Sequence, residues 1–114
     1  MSGINDVIMD WFMDDTIDPQ ADISLAKMIV AAGVTSELHH HTNCAETLHI
    51  IEGEIEQRIG DEWRIMTAGD TCVIPAFAKH QTRNLGLNPA ILMVAYSAGS
   101  RVYVKANPKS PATA

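Results

Sequence analysis

The residues with the clearest chemical potential are histidines. Four of the five histidines lie between residues 39 and 49, in the segment ELHHHTNCAETLHIIEG. Residues two apart on a β-strand project from the same face, so His39 and His41 project together while His40 points the opposite way. The two imidazoles on one face are therefore candidates for holding a common ligand.

A carboxylate and a distant histidine extend this set. Glu46 follows the histidines and begins a new apolar run, and His80 stands far down the chain after the stretch IPAFAK. Imidazole nitrogens and carboxylate oxygens together suit divalent transition metals, namely Fe, Mn, Ni, Zn or Cu. Ligation needs neutral imidazoles and an ionised carboxylate, and both are present near neutral pH. We therefore predict one divalent transition metal ion bound by His39, His41, Glu46 and His80.

The other two histidines fall outside this set. His49 lies in the strand phase opposite to that of Glu46, just as His40 lies opposite to His39 and His41. We predict that His40 and His49 are ordinary polar positions or contacts behind the ligands.

Short strands separated by turns must position these residues. From residue 23 onward, runs rich in Val, Ile and Thr alternate with Gly and Pro, and Gly60-Asp61 is a hairpin signal. The apolar run AILMVAYS is typical of a strand buried on both faces. Many short strands of this kind predict an all-β sandwich or barrel. The predicted strands cover residues 23–31, 36–41, 46–52, 54–59, 62–66, 69–75, 79–85, 90–97 and 100–106.

The two ends of the chain differ from this pattern. Apolar residues near the N-terminus recur at helical spacing, which predicts a short helix or an arm that packs on the barrel or on a dimer partner. These residues are Ile4, Val7, Ile8, Trp11 and Phe12. The C-terminal NPKSPATA is rich in Pro, Ser and Ala and predicts a loose tail. The predicted organisation is a helix or arm over 1–20, a barrel over 21–106 and a tail over 107–114.

Composition excludes several classes of partner. The net charge is −6 and the eight basic residues are scattered, so neither nucleic acid nor an anionic membrane surface is an expected partner. The N-terminus has no basic region followed by an apolar run, so we expect no signal peptide. Cys44 and Cys72 form no C-x-x-C pair. We expect a soluble cytoplasmic protein with free thiols.

Two segments resemble the sequence motifs of the cupins. The first fits G-x5-H-x-H-x4-E-x6-G at every fixed position, and the second, GDTCVIPAFAKHQTRN, fits G-x5-P-x-G-x2-H-x3-N except that Phe77 replaces a glycine. With the fifteen residues between them they span Gly33 to Asn84, nearly half of the chain, which resembles a small single-domain cupin. The fixed positions that match are Gly33, His39, His41, Glu46 and Gly53 in the first motif, and Gly69, Pro75, His80 and Asn84 in the second.

The resemblance implies a jelly-roll β-barrel with one metal ion inside its mouth. It also implies that His39, His41, Glu46 and His80 are the metal ligands. Cupins of this size are often homodimers that pack sheet against sheet or exchange an N-terminal strand. We therefore expect a homodimer, in which the segment around Trp11 and Phe12 could take part.

Three further residues are candidates for lining the pocket. Gln57 shares a strand phase with Ile55 and Ile59, so it either points into the barrel or bonds to backbone at the barrel mouth. Phe77 stands where the motif has a turn glycine. Glycine adopts φ > 0 readily, but the same conformation would cost phenylalanine about 1–2 kcal/mol. The turn is reshaped, or the ring reaches toward the site mouth. Tyr96 is a candidate for contacting a polar substrate.

The metal site is the only chemistry visible in the sequence, which has no phosphate-cradling glycine loop and no dinucleotide fingerprint. We therefore expect a metal-dependent enzyme acting on a small polar metabolite in the barrel, by dioxygenase or isomerase/lyase chemistry. The alternative is a non-catalytic module in which a metal-anchored pocket binds or senses a small molecule. The sequence does not identify catalytic residues beyond the ligands.

Overall fold

A computed structural model describes residues 7–106, and these residues form ten β-strands and no helix. The described residues therefore contain no helix that is long and apolar enough to cross a membrane. The strands are β1 (Val7–Met13), β2 (Ser24–Val30), β3 (His39–His40), β4 (Glu46–Glu52), β5 (Glu54–Ile59), β6 (Glu62–Thr67), β7 (Thr71–Ile74), β8 (His80–Arg83), β9 (Ala90–Tyr96) and β10 (Val104–Lys105).

The strands form two five-stranded sheets. Sheet I has the order β1-β2-β9-β4-β7, and sheet II has the order β10-β3-β8-β5-β6. All strand pairs are antiparallel, and neighbours in the sheets are mostly distant in the chain. This arrangement confirms the predicted jelly-roll barrel.

The core lies between the inward faces of the two sheets. In β2 and β9 every second residue is buried, as expected for strands with one face on the core. The continuous apolar run of β9 predicted burial on both faces, and this is wrong, because the outward residues Ile91 and Met93 are only half-buried. The largest fully buried apolar side chains are Leu48, Ile50, Ile55, Ile74, Leu92, Val30 and Val94.

The N-terminal segment is a strand where a helix was one expectation. Val7–Met13 pairs antiparallel with β2 along nearly its whole length, so the helix alternative is wrong for these residues. The adjacent apolar pairs Val7-Ile8 and Trp11-Phe12 satisfy helical spacing, but they also give a strand one apolar residue for each face. The free hydrogen-bonding edge of β2 decides between the two. Ile4 and the tail over 107–114 lie outside the described residues.

Turns fix where the strands of the site begin. Gly53, the last fixed glycine of the first motif, has φ +92° between β4 and β5. A Cβ at this position would lie 3.1 Å from the Cα of Ala90, so the turn packs directly on the start of β9. Strands β4 and β5 have the predicted bounds, whereas β3 covers only His39–His40 of the predicted 36–41.

Candidate metal centre and its cavity

The four candidate ligands come from both sheets. His39 lies on β3, His41 follows that strand directly, and His80 begins β8, where its Cα pairs with that of His39 across the ladder. Glu46 begins β4 in sheet I, with Tyr96 of β9 on one side. The cluster therefore forms where the two sheets approach each other, and pairing of β3 with β8 brings the two motifs together.

The ligand atoms of these four residues converge. One nitrogen from each imidazole and one carboxylate oxygen all lie within 4.8 Å of one another. The Nε2 atoms of His41 and His80 lie 3.3 Å and 3.1 Å from Oε1 of Glu46. Three of the four residues are buried, and His39 is half-buried at the cavity side of the cluster.

Backbone carbonyls determine which ring nitrogen is free. Nδ1 lies 2.8 Å from the Glu37 carbonyl oxygen in His39, 2.8 Å from that of Val102 in His41 and 2.9 Å from that of Ala78 in His80. Because a carbonyl only accepts, each Nδ1 carries the proton and donates it. Each neutral ring thus presents an unprotonated Nε2.

The convergent atoms have no hydrogen-bond partners. Nε2 of His41, Nε2 of His80 and Oε1 of Glu46 are buried and unpaired. Several electron pairs aimed at one point repel one another unless a cation lies between them, and an unsatisfied buried polar atom is costly. The donor set therefore fits a divalent metal ion, with Nδ1 hydrogen bonds orienting the ligands.

The ionisation of the cluster also suits a cation. Burial raises the pKa of Glu46, but hydrogen bonds and positive charge from the His41 and His80 rings in their protonated forms outweigh burial and bring this pKa down to about 2. Burial also lowers the pKa of His39, to about 4, and the neighbouring His80 and His41 add to this effect. At neutral pH Glu46 is therefore ionised and His39 is neutral, the states required of ligands.

A cavity of about 400 Å³ lies beside the cluster. His39, Glu46 and His80 line it, so the ligands face open space on one side. Thr82 lies beside them, and its hydroxyl donates to the Gln57 side-chain oxygen over 2.5 Å, which leaves its lone pairs toward the cavity. A volume of this size accommodates a small metabolite.

The wall next to the ligands is made of two tyrosine rings and an arginine. Tyr103 stacks on His39 at 4.3 Å between ring centroids, and Tyr96 meets His41 edge-on at 5.3 Å. Arg101 lies against both tyrosines. Sequence reasoning missed Arg101 as a site residue, although its two-residue spacing from Tyr103 would place both on one face of an extended segment.

The three predicted pocket-lining residues have different positions. Tyr96 lines the cavity, and burial raises its pKa so that the phenol stays protonated. Gln57 is fully buried and lies behind Thr82. Phe77 has the left-handed backbone expected of the motif glycine, with φ +71°, and the residue is 67% exposed and does not line the cavity. Its N–H donates to the His41 carbonyl over 2.7 Å.

The two remaining histidines lie outside the cluster. The Nδ1 atom of His49 lies 2.6 Å from the Thr71 hydroxyl oxygen on the outer face of sheet I. His40 pairs with Val104 of β10 at the backbone, and its Nδ1 is buried without a hydrogen-bond partner. We have no physical account of that unpaired atom.

Comparison with known proteins identifies the family. The family model described as a cupin domain matches residues 26–96. The chain belongs to the cupin family. This match begins within β2 and ends with β9, so it contains all four candidate ligands of the cupin.

Two curated proteins are similar to parts of this cupin. Mannose-1-phosphate guanylyltransferase 2 of Escherichia coli O157:H7 is 28% identical over 90 residues, which is 77% of this chain and 18% of that protein. An uncharacterized protein of Methanocaldococcus jannaschii is 35% identical over 66 residues, or 58% of this chain and 53% of the relative. The chain thus spans about a fifth and about half of the lengths of these relatives.

Solved structures share the fold. An oxalate oxidase in complex with the substrate analogue glycolate superposes with a TM-score of 0.81 at 23% identity, over 91% of this chain and 57% of that one. A conserved Klebsiella pneumoniae protein with a double-stranded β-helix domain gives a TM-score of 0.79 at 19% identity, over 94% and 90% of the two chains. At these identities the similarity concerns the fold alone.

Proposed function

We propose that this cupin is a metal-dependent enzyme that converts a small polar metabolite inside the barrel. The observation that carries the proposal is that three of the four candidate ligands line the cavity. A metal ion held by His39, His41, Glu46 and His80 would serve as a Lewis acid toward a substrate oxygen or, as iron, would support oxidation by dioxygen. The residues of the chain itself would have to bind and orient the substrate and hold the protons that the reaction needs.

The residues around the cavity orient a substrate and hold protons in place. Burial raises the pKa of both Tyr96 and Tyr103, so both phenols stay protonated at neutral pH. The Tyr96 hydroxyl can donate to a substrate, whereas the Tyr103 hydroxyl already donates to Glu37 and can only accept. The Thr82 hydroxyl, which donates to Gln57, can only accept from a ligand. The apolar side chains of Val7, Met9 and Met28 close other parts of the wall and exclude water.

The first test is metal content. Untagged protein purified without added metal is analysed by elemental mass spectrometry and compared with the His80→Ala and His49→Ala variants. We expect nearly one metal ion per chain in the parent and in His49→Ala, and a large loss in His80→Ala. A parent protein that carries no metal and takes none up on titration contradicts the proposal.

The metal identity then selects the reaction assay. Iron directs the test to oxygen uptake, and zinc, manganese or nickel directs it to oxygen-independent isomerase or lyase assays. One solved structure similar to this chain is an oxalate oxidase bound to glycolate, so small acids are the first compounds to test. Turnover that disappears with the metal supports the enzyme proposal.

The alternative is a metal-anchored module that binds or senses a small molecule without converting it. The same open side of the cluster supports it. Tight binding of a small molecule by the metal-loaded protein, with no product detected by mass spectrometry after long incubation, favours this alternative.

The expected homodimer and cytoplasmic location stay predictions. Sheet I offers an apolar outer row for pairing with a second copy, because Ile8, Ile29 and Ile91 are aligned across β1, β2 and β9. Light scattering on the purified protein tests the dimer, and Ile29→Lys should produce monomers if this row forms the contact.

A further inference from the structure

Arg101 lies in the cavity wall within a cage of three aromatic rings. Its Cζ atom is 5.0 Å from the centroid of Trp11, 5.2 Å from that of Tyr96 and 5.4 Å from that of Tyr103. The ring of Tyr103 in turn stacks on His39, so only one ring separates the guanidinium from the ligand cluster. A cation in such a cage is held in place by ring quadrupoles and by packing.

The guanidinium has few partners for its donors. Among the described residues, no carboxylate forms an ion pair with Arg101, and its Nε is buried without a hydrogen-bond partner. Contact with the Tyr96 hydroxyl engages a minority of the five N–H donors. Ring faces offer no oxygen lone pairs, so the faces of the three cage rings supply these donors with no oxygen acceptor.

The two carboxylates that line the cavity are already engaged. Glu46 faces the histidine nitrogens, and Glu37 accepts from the Tyr103 hydroxyl over 2.9 Å. The Lys105 ammonium also lies 3.4 Å from Glu37 and offsets its charge. The acidic residues of the cavity therefore leave the Arg101 charge without a close counterion.

We propose that Arg101 is the specificity-determining residue for the substrate and that it binds a carboxylate or similar oxyanion of a small acid. The planar guanidinium fork matches a carboxylate through two parallel hydrogen bonds, which a neutral group cannot reproduce. The acid's other end would reach the His–Glu cluster across Tyr103. The inference rests on the proposed function, since it assumes that the substrate occupies this cavity.

Charge supports an anion at this position. A divalent cation held by three neutral histidines and one carboxylate would leave the cluster with a net positive charge, and Arg101 adds another. An anionic ligand gains from both, whereas a neutral analogue of the same shape gains from neither. Small organic acids are therefore the class of substrate that Arg101 favours in this cavity.

The test measures binding by titration calorimetry, with and without added metal. The probes are glycolate, oxalate and malonate, each paired with its neutral amide. We expect the parent protein to prefer the acids, and Arg101→Gln to lose roughly 10- to 100-fold in affinity for acids but not for amides. The matched control is Arg83→Gln: Arg83 also lies over a ring, 3.8 Å from Trp63, but pairs with Glu56 outside the cavity. This control should bind acids like the parent.

Several outcomes overturn the inference. Equal affinity of the parent for acids and amides does so, as does an Arg101→Gln protein that binds acids normally or loses acids and amides alike. If Arg101→Gln does not fold, Arg101→Lys keeps the charge without the fork, and it should lose roughly 3- to 10-fold for acids. Acid affinities unchanged in this variant count against the carboxylate fork.

The same measurements separate the inference from the proposed function. Acid binding that depends on Arg101, without turnover of any bound acid, leaves the inference standing and counts against the enzyme proposal. Metal binding with turnover of a neutral metabolite supports the enzyme proposal and counts against the inference about Arg101. Metal content is measured for every variant, so loss of the metal is not mistaken for loss of the anion contact.

Discussion

The two walls of the cavity are built on different principles. The ligand wall is polar and buried, and each histidine is held by a hydrogen bond from Nδ1 to a backbone carbonyl. The arginine wall comprises Tyr96, Arg101 and Tyr103, with Trp11 packed against Arg101 and Tyr96 outside the cavity lining, and its contacts are ring packing and cation–π attraction. In the ligand wall, directional hydrogen bonds hold the ring nitrogens in place. In the arginine wall, the packing of aromatic rings holds the guanidinium in place. Substitutions in the ligand wall should therefore change the affinity for metal, and substitutions in the arginine wall should change the affinity for small acids.

The largest expected effect comes from removing a ligand. His80→Ala should weaken metal binding by more than ~100-fold, since even residues behind a ligand often contribute ~10–100-fold. At a metal concentration about 100-fold above the parent's Kd, metal binding adds about 2.7 kcal/mol to the parent's stability, and the variant should lose most of that gain. Metal titration followed by thermal unfolding measures both.

The matched control for this variant is His49→Ala, a half-buried histidine on the outer face of sheet I. It should bind metal like the parent. Equal losses in the two variants would mean that general destabilisation, not ligation, governs metal content.

Lowering the pH should destabilise the metal-free protein by protonating residues of the ligand wall. The pKa of His39 is lowered from 6.5 to about 4 and that of Glu46 from 4.5 to about 2. In both cases the unfolded chain binds protons more readily, so the free energy of unfolding should fall as pH decreases. The His39 contribution is lost between pH 6.5 and about 4, and the Glu46 contribution below 4.5.

Urea unfolding of the metal-free protein at a series of pH values measures this dependence. The His39→Gln variant should give a flatter curve between pH 6.5 and about 4. A curve in that window that is identical to the parent's would show that His39 does not titrate as described.

A smaller effect, confined to the arginine wall, is expected at Trp11. This ring contacts Arg101 and Tyr96 but none of the candidate ligands. Trp11→Leu should weaken acid binding by roughly 2- to 30-fold through loss of the cation–π contact, and Trp11→Phe should retain most of the affinity. Metal content should stay unchanged in both, and a parallel loss of metal would show that the two walls are not separable.

The smallest effect is expected at Phe77, which belongs to neither wall. Phe77→Gly should stabilise the protein by roughly 1 kcal/mol, because glycine adopts φ > 0 without the Cβ clash. Phe77→Ala keeps the clash and removes the exposed ring, so it should give no such gain. Urea unfolding at neutral pH measures both, and equal stabilities of the two variants would contradict backbone strain as the cause.

Much of the ligand wall could be predicted from the sequence. Its residues lie in two short segments whose spacing follows strand periodicity, so His39 and His41 were assigned to one face before any tertiary contact was known. Turn glycines such as Gly53 could be assigned in the same way. The helix alternative at the N-terminus failed because apolar pairs at four-residue spacing fit an edge strand equally well, and only the free edge of β2 decides between them.

Periodicity within local segments was therefore enough to predict an all-β sandwich or barrel and to place His39 and His41 on one face. The jelly roll and the family followed from the resemblance of two segments to the cupin motifs, which also supported the four candidate ligands. Only the tertiary structure decided the arginine wall. Trp11 and Arg101 come from opposite ends of the described chain, and nothing in the sequence indicates that they contact each other. They meet because β1 pairs with β2 and β2 with β9, which places Trp11 beside Tyr96. Long-range strand pairing of this kind leaves no periodic signal in the sequence.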